Sequence, residues 1–373
     1  MTAPLRIHTV NSAVASQRSS QQNGRPDDGA SAQQNAGAAP GAADARGAAE
    51  TRGTAAAQRN AGTISSSYRI EEKPFYLPIK DEVEIFERAW VEQIPVLLKG
   101  PTGCGKTRFV EYMTWHLGQK VYRTTGADPA TRTTGGGGGN GAGGPSATGA
   151  GPTTGAGPFA HGVGSLYTVA CHEDMTARDL TGRYIMKGGE AVWIDGPATM
   201  AVKEGAILYL DEVVEARKDV TVVIHPLTDY RRLLPIETLG VQIEAPPSFM
   251  VVISYNPGYQ SIRKNLKPST KQRFVAIDFS YPPADKETTI VETESGLDRI
   301  LAEKLVLLGN DIRNITTIDL EEGVSTRSLV HAGKLIRRGI PAKRACSLAI
   351  AQAVTDEKDE IAAIELIVDK IFR

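Results

Sequence analysis

Gly100-Pro101-Thr102-Gly103-Cys104-Gly105-Lys106-Thr107 follows the apolar run Pro95-Val96-Leu97-Leu98-Lys99 and opens a helix-like segment from Arg108 to Leu117. Glycines at these spacings let backbone N–H groups converge on phosphate oxygens with no Cβ in the way, and the helix behind them adds the positive end of its dipole. In such a loop the lysine, Lys106, reaches the β and γ phosphates, and the threonine hydroxyl, Thr107, ligates Mg²⁺. A chance glycine-rich turn would lack both the strand before it and the helix after it. The stretch therefore reads as a phosphate-binding loop in an α/β fold.

The 373 residues are 41% apolar and carry a net charge of −1. That is enough apolar content for a sizeable core, and no global basic field points to nucleic acid or an anionic membrane. Cys104, Cys171 and Cys346 lack paired metal-ligand spacing and read as reduced thiols of a cytoplasmic protein. Cys171 and His172 are neighbours on a strand and point to opposite faces, which argues against a metal or nucleophile pair. No apolar run approaches the roughly 18 residues of a membrane span, and the N-terminus has no stretch of the secretory type.

Residues 1–66 are Ala, Gly, Gln, Ser and Arg with few large apolar groups, so a disordered tail is expected there. A second stretch, about 124–164, contains Gly135-Gly136-Gly137-Gly138-Gly139 and reads as a flexible insertion in a surface loop. Between 67 and 283, apolar runs at Val96 to Leu98, Leu166 to Ala170, Ala206 to Leu210, Met250 to Ser254 and Phe274 to Phe279 predict a mostly parallel five-stranded sheet with helices between. From 284 to 373 helical periodicity takes over, at Lys286 to Glu294, Leu297 to Ile312, Thr326 to Arg337, Pro341 to Val354 and Glu357 to Phe372. This predicts a C-terminal helical lid domain.

Ile207-Leu208-Tyr209-Leu210-Asp211-Glu212 is an apolar strand ending in two acids, which puts carboxylates at the sheet edge beside the phosphate loop. Asp211 suits Mg²⁺, and Glu212 suits polarisation of an attacking water. Asn256, closing the next strand, carries an amide able to orient that water and the γ-phosphate, although an Asn-Pro turn is also an ordinary turn. Arg273 precedes the last strand, where a cation can reach a neighbouring subunit's nucleotide; Lys271, Arg263 and Lys264 are rivals. Arg327 sits where a lid helix should begin behind a Ser/Thr cap, placed to meet the γ-phosphate.

Phosphate loop, Asp-Glu strand, Asn-ended strand, trailing arginine and lid arginine, in this order, resemble the AAA+ ATPases. Longer runs resemble the MoxR branch, specifically the CbbQ/NirQ/NorQ family: Leu97 to Glu111, Val169-Ala170-Cys171-His172-Glu173-Asp174, Tyr209 to Arg217, Ile253 to Gln260 and Leu266 to Phe274. The resemblance implies that Lys106 and Thr107 are the Walker A lysine and Mg²⁺ ligand, Asp211 and Glu212 the Walker B pair, Asn256 sensor 1, Arg273 the arginine finger and Arg327 sensor 2. It implies ATP and Mg²⁺ as ligands, a ring hexamer, and hairpins within Asp179 to Pro197 and Arg232 to Pro247. It also implies ATP-driven activation of a metalloenzyme alongside a partner bearing a von Willebrand factor A domain. The client expected first is Rubisco, freed of inhibitory sugar phosphates; the alternative is maturation of nitric oxide or nitrite reductase. Two readings of other classes compete, a nucleotide-gated scaffold without turnover and a small-molecule kinase, and the kinase leaves Arg273 and Arg327 unexplained.

Overall fold

The computed structural model describes residues 7–9, 65–125, 162–257, 266–315, 320 and 322–373. Its strands are β1 (Ile7–Thr9), β2 (Ser65–Arg69), β3 (Val96–Lys99), β4 (Ser165–Ala170), β5 (Gly182–Lys187), β6 (Glu190–Asp195), β7 (Ile207–Asp211), β8 (Leu233–Ile236), β9 (Val241–Glu244), β10 (Met250–Tyr255) and β11 (Val275–Asp278). The first six helices are α1 (Glu82–Val91), α2 (Lys106–Thr125), α3 (Ala177–Thr181), α4 (Pro197–Glu204), α5 (Lys218–Ile224) and α6 (Pro268–Lys271). The rest are α7 (Ala284–Ser295), α8 (Arg299–Arg313), α9 (Thr326–Arg337), α10 (Ala342–Cys346), α11 (Gln352–Val354) and α12 (Lys358–Ile371).

The main sheet runs β11-β3-β10-β7-β4-β2. Five of these strands are parallel, as the apolar runs predict, and β2 joins β4 antiparallel. A parallel sheet covered on both faces needs apolar side chains up and down, which is why β3, β7 and β10 read as unbroken apolar runs. Val96 and Leu98 point to one face, where Phe86, Trp90, Phe109 and Met113 of α1 and α2 cover them. Leu97 points to the other, among Ala198, Val202, Val220 and Ile224 of α4 and α5. Three layers result, with the carboxyl ends of the parallel strands along one edge.

Two strands fall in or across the stretch 1–66 expected to be a tail. Ile7–Thr9 extends the β8–β9 hairpin into a three-stranded sheet, and Ser65–Arg69 forms the polar edge of the main one. Ile7 and Thr9 are β-branched, and a short polar edge strand draws on backbone pairing rather than on side-chain burial, so composition hid both. The rest of that stretch, and most of the glycine-rich one, lies outside the described residues, as do Arg263 and Lys264. Both expected hairpins are there, β5–β6 turning at Gly188-Gly189 and β8–β9 before β10.

From Ala284 onward the described residues outside the connecting turns are helical and have their own core, around Leu305, Leu308, Leu329, Cys346 and Ile364. A buried ion pair ties α7 to α8: Arg313 donates to both Glu287 oxygens at 2.8 Å, with side-chain exposures of 10% and 0%. Thr326 Oγ1 adds a bond to Glu287 at 2.6 Å, bringing in α9. Removing one partner strands the other charge in a dry site, which typically costs about 3–5 kcal/mol. Arg313→Met is therefore expected to lower unfolding free energy by about 3 kcal/mol in denaturant titration; a loss below about 1 kcal/mol would show the pair to be dispensable.

Candidate nucleotide site

The phosphate loop leaves β3, and its glycines are held by two other parts of the chain. Gly100 has φ 154°, and a Cβ there would run into the Phe279 carbonyl after β11. Gly103 has φ 70°, and a Cβ there would meet Ser325 Cβ at 2.6 Å. Ser325 caps α9 by accepting from the Ser328 amide at 3.1 Å, so the lid helix starts directly on the loop. Lys106 Nζ donates to the carbonyls of Gly100 at 2.7 Å and Pro101 at 2.9 Å.

The acids come from β7, at the sheet edge beside the loop as expected, and β7 is not a direct sheet neighbour of β3. β10 runs between them, parallel to both. Its Ser254 therefore reaches Asp211: Ser254 Oγ donates to Asp211 Oδ1 at 2.5 Å, Tyr209 OH donates to the same oxygen at 2.6 Å, and Thr107 Oγ1 lies 3.5 Å from Oδ2. The Glu212 amide donates to Ser254 Oγ at 3.1 Å, and Glu212 itself has φ 54°, a left-handed conformation that costs a side-chain-bearing residue of order 1 kcal/mol. Burial holds its carboxyl above the ordinary range, the Asp211 charge adds to that, and Lys106 opposes both. Burial likewise pushes the Cys104 thiol up, and that of Cys171 up to about 12, so neither supplies a thiolate near neutral pH.

Gly103 to Thr107, Asp211, Glu212 and Arg327 line one cavity of about 480 Å³ between the sheet edge and the lid. Asn256 closes β10 next to it and donates Nδ2 to Glu322 Oε1. Arg273 does not line that cavity; its Nη1 lies 3.4 Å from the His225 carbonyl and 3.6 Å from Asp229 Oδ2. Burial, then the Arg273 charge, lowers the His225 pKa. The loop amides, an open Gly105 and the Thr107–Asp211 oxygen pair suit a nucleotide phosphate with a divalent cation.

Sequence reasoning missed the opposite wall. Phe75, Tyr76, Leu77 and Ile79 close the cavity from before α1, facing Ile290 and Val330 of the lid. Glu82 holds that wall: its carboxylate accepts from the amides of Ile79 at 2.6 Å and Lys80 at 2.7 Å and from Tyr76 OH at 2.8 Å. Burial alone would raise the Glu82 pKa, but those donors bring it below the ordinary value. Tyr209 had a readable signal, since residues two apart on a strand share a face and Asp211 lies two further on. Glu322 had none; it bridges Thr102, 220 positions away, and Asn256, 66 positions away.

Residues 287–371 match the CbbQ/NirQ/NorQ C-terminal family, and residues 147–274 match the AAA domain of the dynein-related subfamily. Protein NorQ of Paracoccus denitrificans is 51% identical over 288 residues, spanning 77% of this chain and 90% of the relative. Protein CbbQ of Hydrogenophilus thermoluteolus is 45% identical, over 83% of this chain and 99% of the relative. The denitrification regulatory protein NirQ of Pseudomonas aeruginosa is 46% identical, over 79% and 96%.

The contact of Gly103 with Ser325 can be tested by compensation. Gly103→Ala is expected to destabilise the chain by about 2 kcal/mol, from strain at positive φ and overpacking. Ser325→Gly removes the atoms in the way at a cap cost of only a few tenths of a kcal/mol. In a double-mutant cycle by thermal unfolding the pair should therefore recover part of that loss; strict additivity would rule the contact out.

Proposed function

The chain belongs to the CbbQ/NirQ/NorQ family of MoxR-type AAA+ proteins, and from that premise we propose that it is an ATP-hydrolysing motor that remodels a metalloenzyme. The observation that carries this reading is the convergence of the phosphate loop, Asp211, Glu212 and Arg327 on one cavity roofed by the lid. A scaffold without turnover has no use for a carboxylate with a raised pKa held in a strained backbone beside that loop.

In this mechanism Gly100 to Thr107 hold the phosphates of ATP, with Lys106 exchanging its loop carbonyls for the terminal phosphate. Thr107 and Asp211 hold Mg²⁺, Asp211 being oriented by Tyr209 and Ser254. Bound there, the ion neutralises charge on the phosphate oxygens. Glu212 polarises the attacking water, Asn256 orients that water and the γ-phosphate, and Arg327 reports the γ-phosphate to the lid. Arg273, away from its own chain's cavity, completes the site of the next subunit in a ring, which we take as a hexamer.

Glu212→Gln should bind ATP and assemble normally while turnover falls about a hundredfold or more. Arg273→Ala should abolish turnover too, and the two variants complement. Mixed in equal amounts they create interfaces with one intact Glu212 facing one intact Arg273, so ATPase activity reappears if the site is shared. Mixtures as inactive as their parts would rule out Arg273 acting across the subunit interface.

Client and adaptor contacts fall to the β5–β6 hairpin, where Met186 is 71% exposed and Tyr184 51%. A von Willebrand factor A domain protein is the expected adaptor, and the cytoplasm the expected compartment; no described helix is long and apolar enough to cross a membrane. For the client, Rubisco is one reading. Identity of 51% with NorQ against 45% with CbbQ favours the other, maturation of nitric oxide or nitrite reductase. Supplying the chain, its adaptor and ATP to sugar-phosphate-inhibited Rubisco and to immature reductase separates them by which enzyme gains activity.

A further inference from the structure

The segment leading into α9 grips the phosphate loop at Thr102 and Gly103. Glu322 Oε1 accepts from Thr102 Oγ1 at 3.0 Å and from Asn256 Nδ2. Tyr281 OH lies 3.4 Å from the Thr102 carbonyl oxygen and 3.1 Å from that of Gly323. Ser325 follows, packed against Gly103. Of these contacts only the first is made by an anion, and it engages the amide that the mechanism above needs for the γ-phosphate.

The Asn256 Nδ2 has two N–H donors, but a carboxylate and a phosphate are both anionic and repel one another when both approach the same amide. Charge-assisted bonds are about twice as strong as neutral ones, which makes the competition matter. Glu322 lies three residues before the α9 cap, so whatever moves its carboxylate pulls on the start of the lid helix. The γ-phosphate is the part of ATP that ADP lacks. Competition at Asn256 therefore distinguishes the two nucleotides, whereas a general packing defect near Thr102 does not.

We propose that Glu322 is a positioning residue that parks Asn256, so that the γ-phosphate of ATP must draw the amide off Glu322 and thereby release the lid's first turn. This rests on Asn256 facing the γ-phosphate, as set out under the proposed function. ADP leaves the Glu322–Asn256 contact in place. The lid is then coupled to the nucleotide through this side-chain bond as well as through Arg327, because the carboxylate and the phosphate repel one another at the same amide.

The test is nucleotide binding by the full chain with Mg²⁺, using a β,γ-imido ATP analogue and ADP in parallel. Glu322→Gln keeps the volume and loses the charge; Glu322→Ala loses both. The expected result is tighter binding of the analogue, about threefold for Gln and about tenfold for Ala, with ADP affinity essentially unchanged. In an Asn256→Ala background that gain should vanish. Equal changes for both nucleotides, no change for either, or a gain that persists without Asn256 each overturn the proposal. Binding needs no turnover, so these outcomes are separate from the Glu212→Gln rate, which tests hydrolysis itself.

Discussion

β10 lies between β3 and β7, parallel to both, and the site depends on that placement. The strand carrying the phosphate loop and the strand carrying Asp211 are thereby held one strand apart. Neighbouring strands sit about 4.8 Å from each other, so the gap is nearly 10 Å at the carboxyl edge. A phosphate, a cation and a water fit across it. The end of β10 fills the floor of that gap with Ser254, which braces Asp211 and the Glu212 amide, and with Asn256 beside it. Were β3 and β7 direct neighbours, Lys106 and the two acids would pair with each other instead.

The second dependence is on the lid's attachment. Arg313 lies 3.9 Å from the centre of the Tyr281 ring, pairs with Glu287 and donates to the Val324 carbonyl at 2.7 Å. One guanidinium thus joins α8 to α7, to the connection after β11 and to the approach to α9. Its planar fork and fixed charge suit that many simultaneous partners better than an ammonium. Because Tyr281 and Ser325 reach Thr102 and Gly103, the same cluster sets where Arg327 and Val330 meet the cavity. Lid and loop are mechanically one piece at this corner.

Charge is arranged unevenly around the cavity. Asp211 and Glu212 line the cavity beside the phosphate loop, while Arg273, outside its lining, is held by Asp229 and the His225 carbonyl. Lys106 and Arg327 line the same cavity, so it holds both signs of charge, and Arg273 stands apart from it. That separation is what the proposed sharing of a site between two subunits requires, with Arg273 serving a neighbour rather than its own cavity.

The amino-acid sequence by itself determined the class of fold and named most of the charged residues that the cavity brings together. Phosphate loop, buried strand and terminal acid are local patterns, each legible within about a dozen residues because backbone periodicity and glycine geometry act locally. The helices from Thr326 to Arg337 and near the C-terminus were legible for the same reason, from their apolar spacing. The tertiary structure alone decided what lies beside what. Strand order put β10 between β3 and β7, edge pairing made strands of Ser65–Arg69 and Ile7–Thr9 in apolar-poor sequence, and chain return brought Glu322 to Thr102 and Asn256. None of these has a local signature, because the free energy that selects them comes from groups tens to hundreds of residues apart, which meet only once the layers have packed.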